Sequence, residues 1–319
     1  MVDISEVAEH IYMIDNQLYG IPKFGAVYLI DEDRKALIDT GPATSVDTVL
    51  DGIKAIGLRH EDITCVIVTH IHLDHAGGAG VLLKEMPQAE IVVHNRGARH
   101  LTNPEKLVSS TIETQGEEAM AKNGEVVPIM KHRIHPVYDG DEIELSDKQV
   151  LRFIDAPGHV THELCLYESR NGGVFAGDAV GNYVAGYDIL VPITPLPSFS
   201  LELYINTLNR LKKMNATMIY FSHFGTSNRV QENLALAIDT LKARDGIVAR
   251  AAAENALDSA AELIIALECD KLEPIKEKMK SLYEYWTTAS IPMSAAGHVK
   301  YYRDKYEALL NKRRNGESN

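Results

Sequence analysis

Short runs rich in β-branched and aromatic residues alternate with segments of helical spacing up to about Phe221, and helical spacing alone continues beyond it. Apolar runs at residues 10–14, 26–30, 35–38 and 63–68 predict strands, and residues 45–56 predict a helix before the last of them. A strand is expected at 91–93, then a polar helical stretch over 104–121 and short strands at 134–137, 142–145 and 150–154. Strand runs recur at 164–167, 174–176 and 218–221. Alternation of this kind predicts an α/β domain, and so many strands suit two sheets, one from each half. From Thr226 onward Leu234, Ile238 and Leu241, then Leu263, Ile264 and Leu267, recur at helical spacing, and no strand is expected. The pattern divides the chain into residues 1–230, an α/β domain, a helical extension over 231–312, and a tail at 313–319 read as disordered. The extension is expected to pack on the core or to form a homodimer.

Composition narrows the classes. The chain has 319 residues, 45% of them hydrophobic, enough to bury a sizeable core. Its 32 basic and 45 acidic residues give a formal charge of -13, which speaks against nucleic acid or an anionic membrane as partner. The opening residues lack a signal-peptide pattern and no apolar run has membrane-spanning length, so a cytoplasmic protein with a small-molecule partner is expected. Cys65, Cys165 and Cys269 are odd in number and widely spaced, which reads as reduced thiols.

The densest chemistry lies at residues 69–78, where His70, His72, Asp74 and His75 follow the strand run at 63–68 and precede Gly77, Gly78 and Gly80. Imidazoles and a carboxylate packed so closely are costly to bury unpaired, whereas one metal ion gathers several such ligands around a point. A strand-to-helix loop can aim them inward. Three further candidates end apolar strand runs beside glycines: His159 after Asp155-Ala156-Pro157-Gly158, Asp178 after Ala176-Gly177, and His223 before Phe224-Gly225.

An Asp-Thr-Gly at 39–41, the H-x-H-x-D-H run at 70–75, and then His159, Asp178 and His223 in this order resemble the metallo-β-lactamase superfamily over roughly residues 8–230. The resemblance implies a four-layer αβ/βα sandwich with the site along one edge. It implies that His70, His72 and His159 hold one divalent metal ion and Asp74, His75 and His223 a second, with Asp178 bridging and Asp39 orienting ligands. Zinc is the metal expected first, with iron or manganese as alternatives. The Pro157-Gly158-His159-Val160-Thr161-His162 turn and the Pro192-Ile193-Thr194-Pro195-Leu196-Pro197 loop look most like a glyoxalase II-type branch of hydrolases. His162 is read either as a group beside the ligands or substrate or as a surface histidine. Tyr183, Tyr187 and Phe199 are read either as pocket wall or as ordinary packing. Arg244 and Arg250 read as solvated helix charges.

The expected function is a dinuclear metal-dependent hydrolase acting through a metal-bridging hydroxide on a small ester, thioester or lactone. Asp74 is the expected catalytic residue, orienting the hydroxide and passing a proton to the leaving group. Pairing of Asp178 with His223 is uncharacteristic of antibiotic-hydrolysing members. The alternatives are a mononuclear iron enzyme resembling persulfide dioxygenases and, against the acidic charge balance, a phosphodiesterase or nuclease.

Overall fold

The computed structural model describes residues 2–314, with side chains up to residue 307. The expected tail lies almost wholly outside the described residues. Seven strands form a first sheet in chain order: β1 (Ile4–Ala8), β2 (Ile11–Asp15), β3 (Ala26–Ile30), β4 (Lys35–Ile38), β5 (Ile63–Ile67), β6 (Glu90–His94) and β7 (Ile134–Val137). The last four run parallel, linked by α1 (Val46–Ile56), α2 (Leu73–Ala76), α3 (Ala79–Glu85), α4 (Ala98–Thr102), α5 (Glu105–Gln115) and α6 (Glu117–Asn123).

The second half contributes β8 (Glu142–Glu144), β9 (Val150–Asp155), β10 (Leu164–Glu168), β11 (Gly173–Phe175), the separate hairpin β12 (Asn182–Val184) and β13 (Ile189–Val191), then β14 (Met218–Phe221) and β15 (Gly225–Ser227). Apart from the hairpin these form a six-stranded sheet in the order β15-β14-β11-β10-β9-β8. Its helices are α7 (Leu201–Met214) and α8 (Val230–Ala253), followed by α9 (Ala260–Asp270), α10 (Lys280–Tyr285) and α11 (Ile291–Arg314).

The apolar strands are buried on both faces, which explains their nearly unbroken hydrophobicity. In β3, Ala26, Tyr28 and Ile30 point into the layer between the sheets, where they join Phe153, Leu166 and Phe175. Val27 and Leu29 point the other way, onto α1 and α3. Leu208, Leu211, Leu234 and Leu241 of α7 and α8 cover the outer face of the second sheet. The layers therefore run helix, sheet, sheet, helix, the αβ/βα sandwich. Tyr28 also ties the sheets together, donating to the carbonyls of Phe221 at 2.7 Å and Gly225 at 2.9 Å.

Several details depart from the sequence reading. The first strand, β1, is half-exposed and carries too few apolar residues to register as a run. Gly116, at φ 88°, breaks the expected 104–121 helix into α5 and α6. A short strand, β15, reaches beyond Thr226. The segment after Asp178, read as a loop restricted by its prolines, contains the hairpin of β12 and β13, on which Leu272, Leu282, Trp286 and Ile291 of the C-terminal region pack. Among the described residues no helix is long and apolar enough to cross a membrane. Cys65 and Cys165 are buried thiols and Cys269 is half-buried, none in a disulfide.

Candidate metal centre

The C-terminal ends of strands from both sheets meet along one edge. Asp39 follows β4, His70 and His72 follow β5, His159 follows the turn after β9, Asp178 follows β11, and His223 follows β14. Asp74 and His75 sit in the single turn of α2. Two close approaches permit this convergence. A Cβ on Gly158, at φ +152°, would lie 2.3 Å from the Tyr204 Cα, and one on Gly177, at φ +52°, would lie 2.6 Å from Glu163 Oε1.

The side chains expected as ligands come together in three overlapping sets, His70 with His72 and His159, His70 with His75 and Asp178, and Asp74 with His75 and His223. Asp178 lies among them, with Oδ2 3.4 Å from His159 Nε2 and Oδ1 3.4 Å from both His75 Nε2 and His223 Nε2. Asp74 Oδ2 is 3.5 Å from His223 Nε2 and 3.8 Å from His75 Nε2.

Hydrogen bonding at the far side of four of the rings sets their tautomers in the neutral form. Nδ1 of His75 donates to Asp39 Oδ2 at 2.9 Å, Nδ1 of His159 to the Ile193 carbonyl at 3.0 Å, and Nδ1 of His223 to the Phe24 carbonyl at 3.3 Å. Nδ1 of His70 lies 3.2 Å from the Thr69 hydroxyl, which itself donates to Asp39. A neutral imidazole carries one N–H, so each of these rings, when neutral, turns an Nε2 lone pair inward. The consequence is an arrangement that protons alone do not satisfy. His75 Nε2 and His223 Nε2 face one another at 3.2 Å. His72 Nδ1 sits 3.0 Å from His70 Nε2 and 3.1 Å from His159 Nε2, yet it has at most one proton to share. Buried Asp178 Oδ1 has no hydrogen-bond donor. Nitrogens each about 2.0–2.1 Å from one ion lie roughly 3.3 Å apart in a tetrahedral shell, so the converging lone pairs fit cations.

The electrostatics agree. Burial, reinforced by neighbouring histidines, lowers the pKa of His70 and of His159, and holds His72 down to about 3, which keeps them neutral and able to ligate. At His75 burial opposes protonation, but Asp178, Asp74 and Asp39 outweigh it and push the pKa well up. The negative field that would hold a proton there would equally hold a metal ion. Asp178 shows the converse, its burial outweighed by His223, His75 and His159, which keep it ionised.

Around Asp39 the structure adds detail. Its carboxylate also accepts from the Thr69 backbone at 2.8 Å and the Ser222 hydroxyl at 2.8 Å, so it spans the ends of β4, β5 and β14. Two supporting groups escaped sequence reasoning. Fully buried Glu163 accepts the Asp178 amide at 2.6 Å, and burial followed by Asp178 raises its pKa well above the usual range. Its only sequence signal is an acid opening the apolar run after His162. Tyr204 donates to the Asp178 carbonyl at 2.7 Å and belongs to α7, with nothing in its own segment to mark it.

A cavity of about 920 Å³ opens onto the centre. His162 lines it, with its ring 6.4 Å from that of His70 and 6.5 Å from that of His72, and burial holds its pKa down to about 3. Tyr183 and Tyr187, one reading of which made them pocket wall, do not line it. Tyr183 stacks on Phe221 at 4.5 Å and donates to Asp188, while Tyr187 packs against the C-terminal helices. Phe199 is likewise turned toward Tyr204 and Tyr301. The aromatic wall instead consists of Tyr19, Phe24 and Tyr285, joined by Met293. Arg244, expected in solvent, is fully buried. Arg250 is exposed.

A two-sheet sandwich carrying clustered histidines and aspartates at its strand ends defines a metal-binding class of protein. This chain belongs to the metallo-beta-lactamase superfamily, whose family model matches residues 20–223. It is 25% identical over 210 residues to a metallo-beta-lactamase fold-containing protein of Sulfurisphaera tokodaii, covering 64% of this chain and 74% of that one. It is 27% identical over 225 residues to a hydroxyacylglutathione hydrolase of Vibrio cholerae, covering 69% of this chain and 70% of the relative. In fold it is similar to the metallo-beta-lactamase family protein of Thermus thermophilus, with TM-score 0.65, 20% identity, and coverage of 94% of this chain and 95% of the other.

Proposed function

We propose that this protein is a hydrolase that holds two divalent metal ions and cleaves a small ester, thioester or lactone. The observation that carries this reading is Asp178, whose Oδ2 faces His159 Nε2 while its Oδ1 faces His75 Nε2 and His223 Nε2. His70, His72 and His159 would hold one ion, Asp74, His75 and His223 the other, with Asp178 shared between them. Zinc suits these donors, and iron and manganese accept the same set. Ions bound there lower the pKa of water toward about 7 and polarise a carbonyl oxygen.

The chain's own residues supply the rest. Asp39, the Ile193 carbonyl and the Phe24 carbonyl keep three rings in the ligating tautomer, and Glu163 fixes the backbone of Asp178. Asp74 is the most exposed carboxylate of the cluster and lines the cavity, so its carboxylate is placed to take a proton from the attacking water and return it to the leaving group. Tyr19, Phe24 and Tyr285 form an apolar seat for the acyl part of the substrate. No cysteine is available as a nucleophile there, since Cys65 and Cys165 are buried in strands and Cys269 does not line the cavity.

Likeness to hydroxyacylglutathione hydrolases supports hydrolysis. Elemental analysis of protein purified without added metal, combined with a panel of thioesters, lactones and phosphodiesters, tests the reading. Two equivalents of zinc and thioester or lactone turnover that chelation abolishes are expected. A single iron with oxygen-dependent thiol oxidation would overturn it in favour of the mononuclear iron alternative.

A further inference from the structure

The cavity combines the metal centre and its aromatic wall with a third surface that the hydrolase reading does not use. Arg96, in the turn after β6, Arg99 of α4 and Lys106 of α5 all line it. Among the described residues none of these three forms an ion pair with a carboxylate, although the chain has 45 acidic residues against 32 basic ones. The acids that line the same cavity are already committed. Asp74 and Asp178 belong to the metal centre, and Glu118 lies 3.4 Å from Lys122. Three positive charges are thus left facing the cavity of a protein whose net charge is -13.

All three cations are exposed residues, and each arginine side chain makes one hydrogen bond. Arg96 donates through Nη1 to the Thr161 carbonyl at 3.1 Å, which ties it to the turn that carries His159 and His162. Arg99 donates through Nε to His100 Nε2 at 3.1 Å, leaving its terminal nitrogens for a ligand. Two guanidinium forks and an ammonium lining one cavity suit the oxygens of phosphate or carboxylate, and a doubly charged group balances three such charges better than a single charge does.

Resting on the hydrolase reading, we infer that the substrate carries a multiply charged anionic tail, phosphate or carboxylate, that binds Arg96, Arg99 and Lys106. The scissile carbonyl then lies at the metal centre, the acyl part against the aromatic wall, and the charged tail on the leaving-group side, toward α4 and α5. A cavity of about 920 Å³ has room for a substrate of this length.

The test compares one acyl group carried as a thioester on pantetheine, on 4′-phosphopantetheine and on glutathione. At low salt, kcat/KM is expected to be about tenfold or more higher for at least one charged carrier than for pantetheine, and the gain to fall as salt rises. A gain confined to phosphopantetheine assigns phosphate, and one confined to glutathione assigns carboxylate. The triple variant Arg96→Gln, Arg99→Gln, Lys106→Gln should bring the ratio near one, whereas Lys54→Gln, Lys213→Gln, Lys242→Gln, equal in charge change but distant from the cavity, should keep it. Calorimetric binding of free 4′-phosphopantetheine and of glutathione reads the same site without catalysis. Failure of every thioester to turn over would confine the hydrolase reading to esters and lactones, while calorimetry still decides the anion site. Ratios near one for both charged carriers, or equal affinity of wild type and cavity variant for both free thiols, overturn the inference.

Discussion

The buried guanidinium of Arg244 donates to the Pro192 carbonyl at 2.8 Å, one residue before the carbonyl on which His159 rests. Arg244 also pairs with fully buried Glu268 at 3.1 Å and donates to Ser294 Oγ at 3.0 Å. Ser294 in turn accepts the Thr194 amide at 3.0 Å. The Pro192–Thr194 backbone is therefore gripped by α8 and α11 on one side, with Glu268 of α9 pairing Arg244, while it orients His159 on the other.

Arg244→Met removes one of the two partners of buried Glu268 and leaves it only Lys271, 2.9 Å away, so a loss of stability below the roughly 3–5 kcal/mol of a fully orphaned buried charge is expected. Denaturation of metal-free protein measures this. Competition with a chromophoric chelator should also show weaker metal binding, and Arg244→Lys should restore only part of it because an ammonium lacks the planar fork. Unchanged metal affinity in a folded Arg244→Met protein would break the link between the helices and His159.

Asp39→Asn removes the anionic acceptor that holds the His75 ring. Loss of such a partner typically weakens metal binding about 10 to 100-fold. Chelator competition on the purified variant checks it, with near-normal affinity as the opposing result.

Asp74→Ala is expected to abolish hydrolysis while the ion on His70, His72 and His159 is retained. The two readouts are turnover and metal stoichiometry. A variant that keeps near-normal turnover would refute the catalytic role of Asp74.

Glu163 should tolerate replacement by its neutral isostere. Burial and Asp178 favour its protonated form, so Glu163→Gln is expected to keep nearly full stability. Glu163→Ala strands the buried Asp178 amide and should cost about 1–3 kcal/mol. Urea midpoints of the two variants separate these outcomes.

His298 predicts an acid-sensitive contribution away from the centre. It is buried against Phe199 with Asp245 3.9 Å away, and burial lowers its pKa despite the help of Asp245. The unfolded chain therefore binds its proton more readily. Stability from this residue is complete above the unfolded value of about 6.5 and declines as pH falls toward the lowered folded value. His298→Leu should lose less stability than wild type between about pH 7.5 and 5.5. An identical loss in both proteins would contradict this.

Much of this architecture was legible because its signals are local. Strands β3 to β5 announce themselves as apolar runs, and the residues from His70 to His75 carry their chemistry within one turn of chain. His159, Asp178 and His223 could be nominated because each ends such a run beside a glycine. The cavity wall was illegible for the opposite reason. Tyr19, Phe24 and Tyr285 belong to segments at the two ends of the chain and meet only through packing. Tyr183 was close to Asp178 in sequence, but the β12–β13 hairpin turns its ring onto Phe221. Arg244 has the helical spacing of a surface residue until α9 and α11 close over it.

The division of the donors between the sheets has a consequence for assembly. His70, His72, Asp74 and His75 arise from the first sheet, and His159, Asp178 and His223 from the second, so neither half offers a complete coordination shell. A tightly held ion would act as a clasp between halves, favouring the docked state over any form in which they part by RT ln(1 + [L]/Kd). Metal availability during folding then becomes a determinant of how much of the protein survives long enough to work.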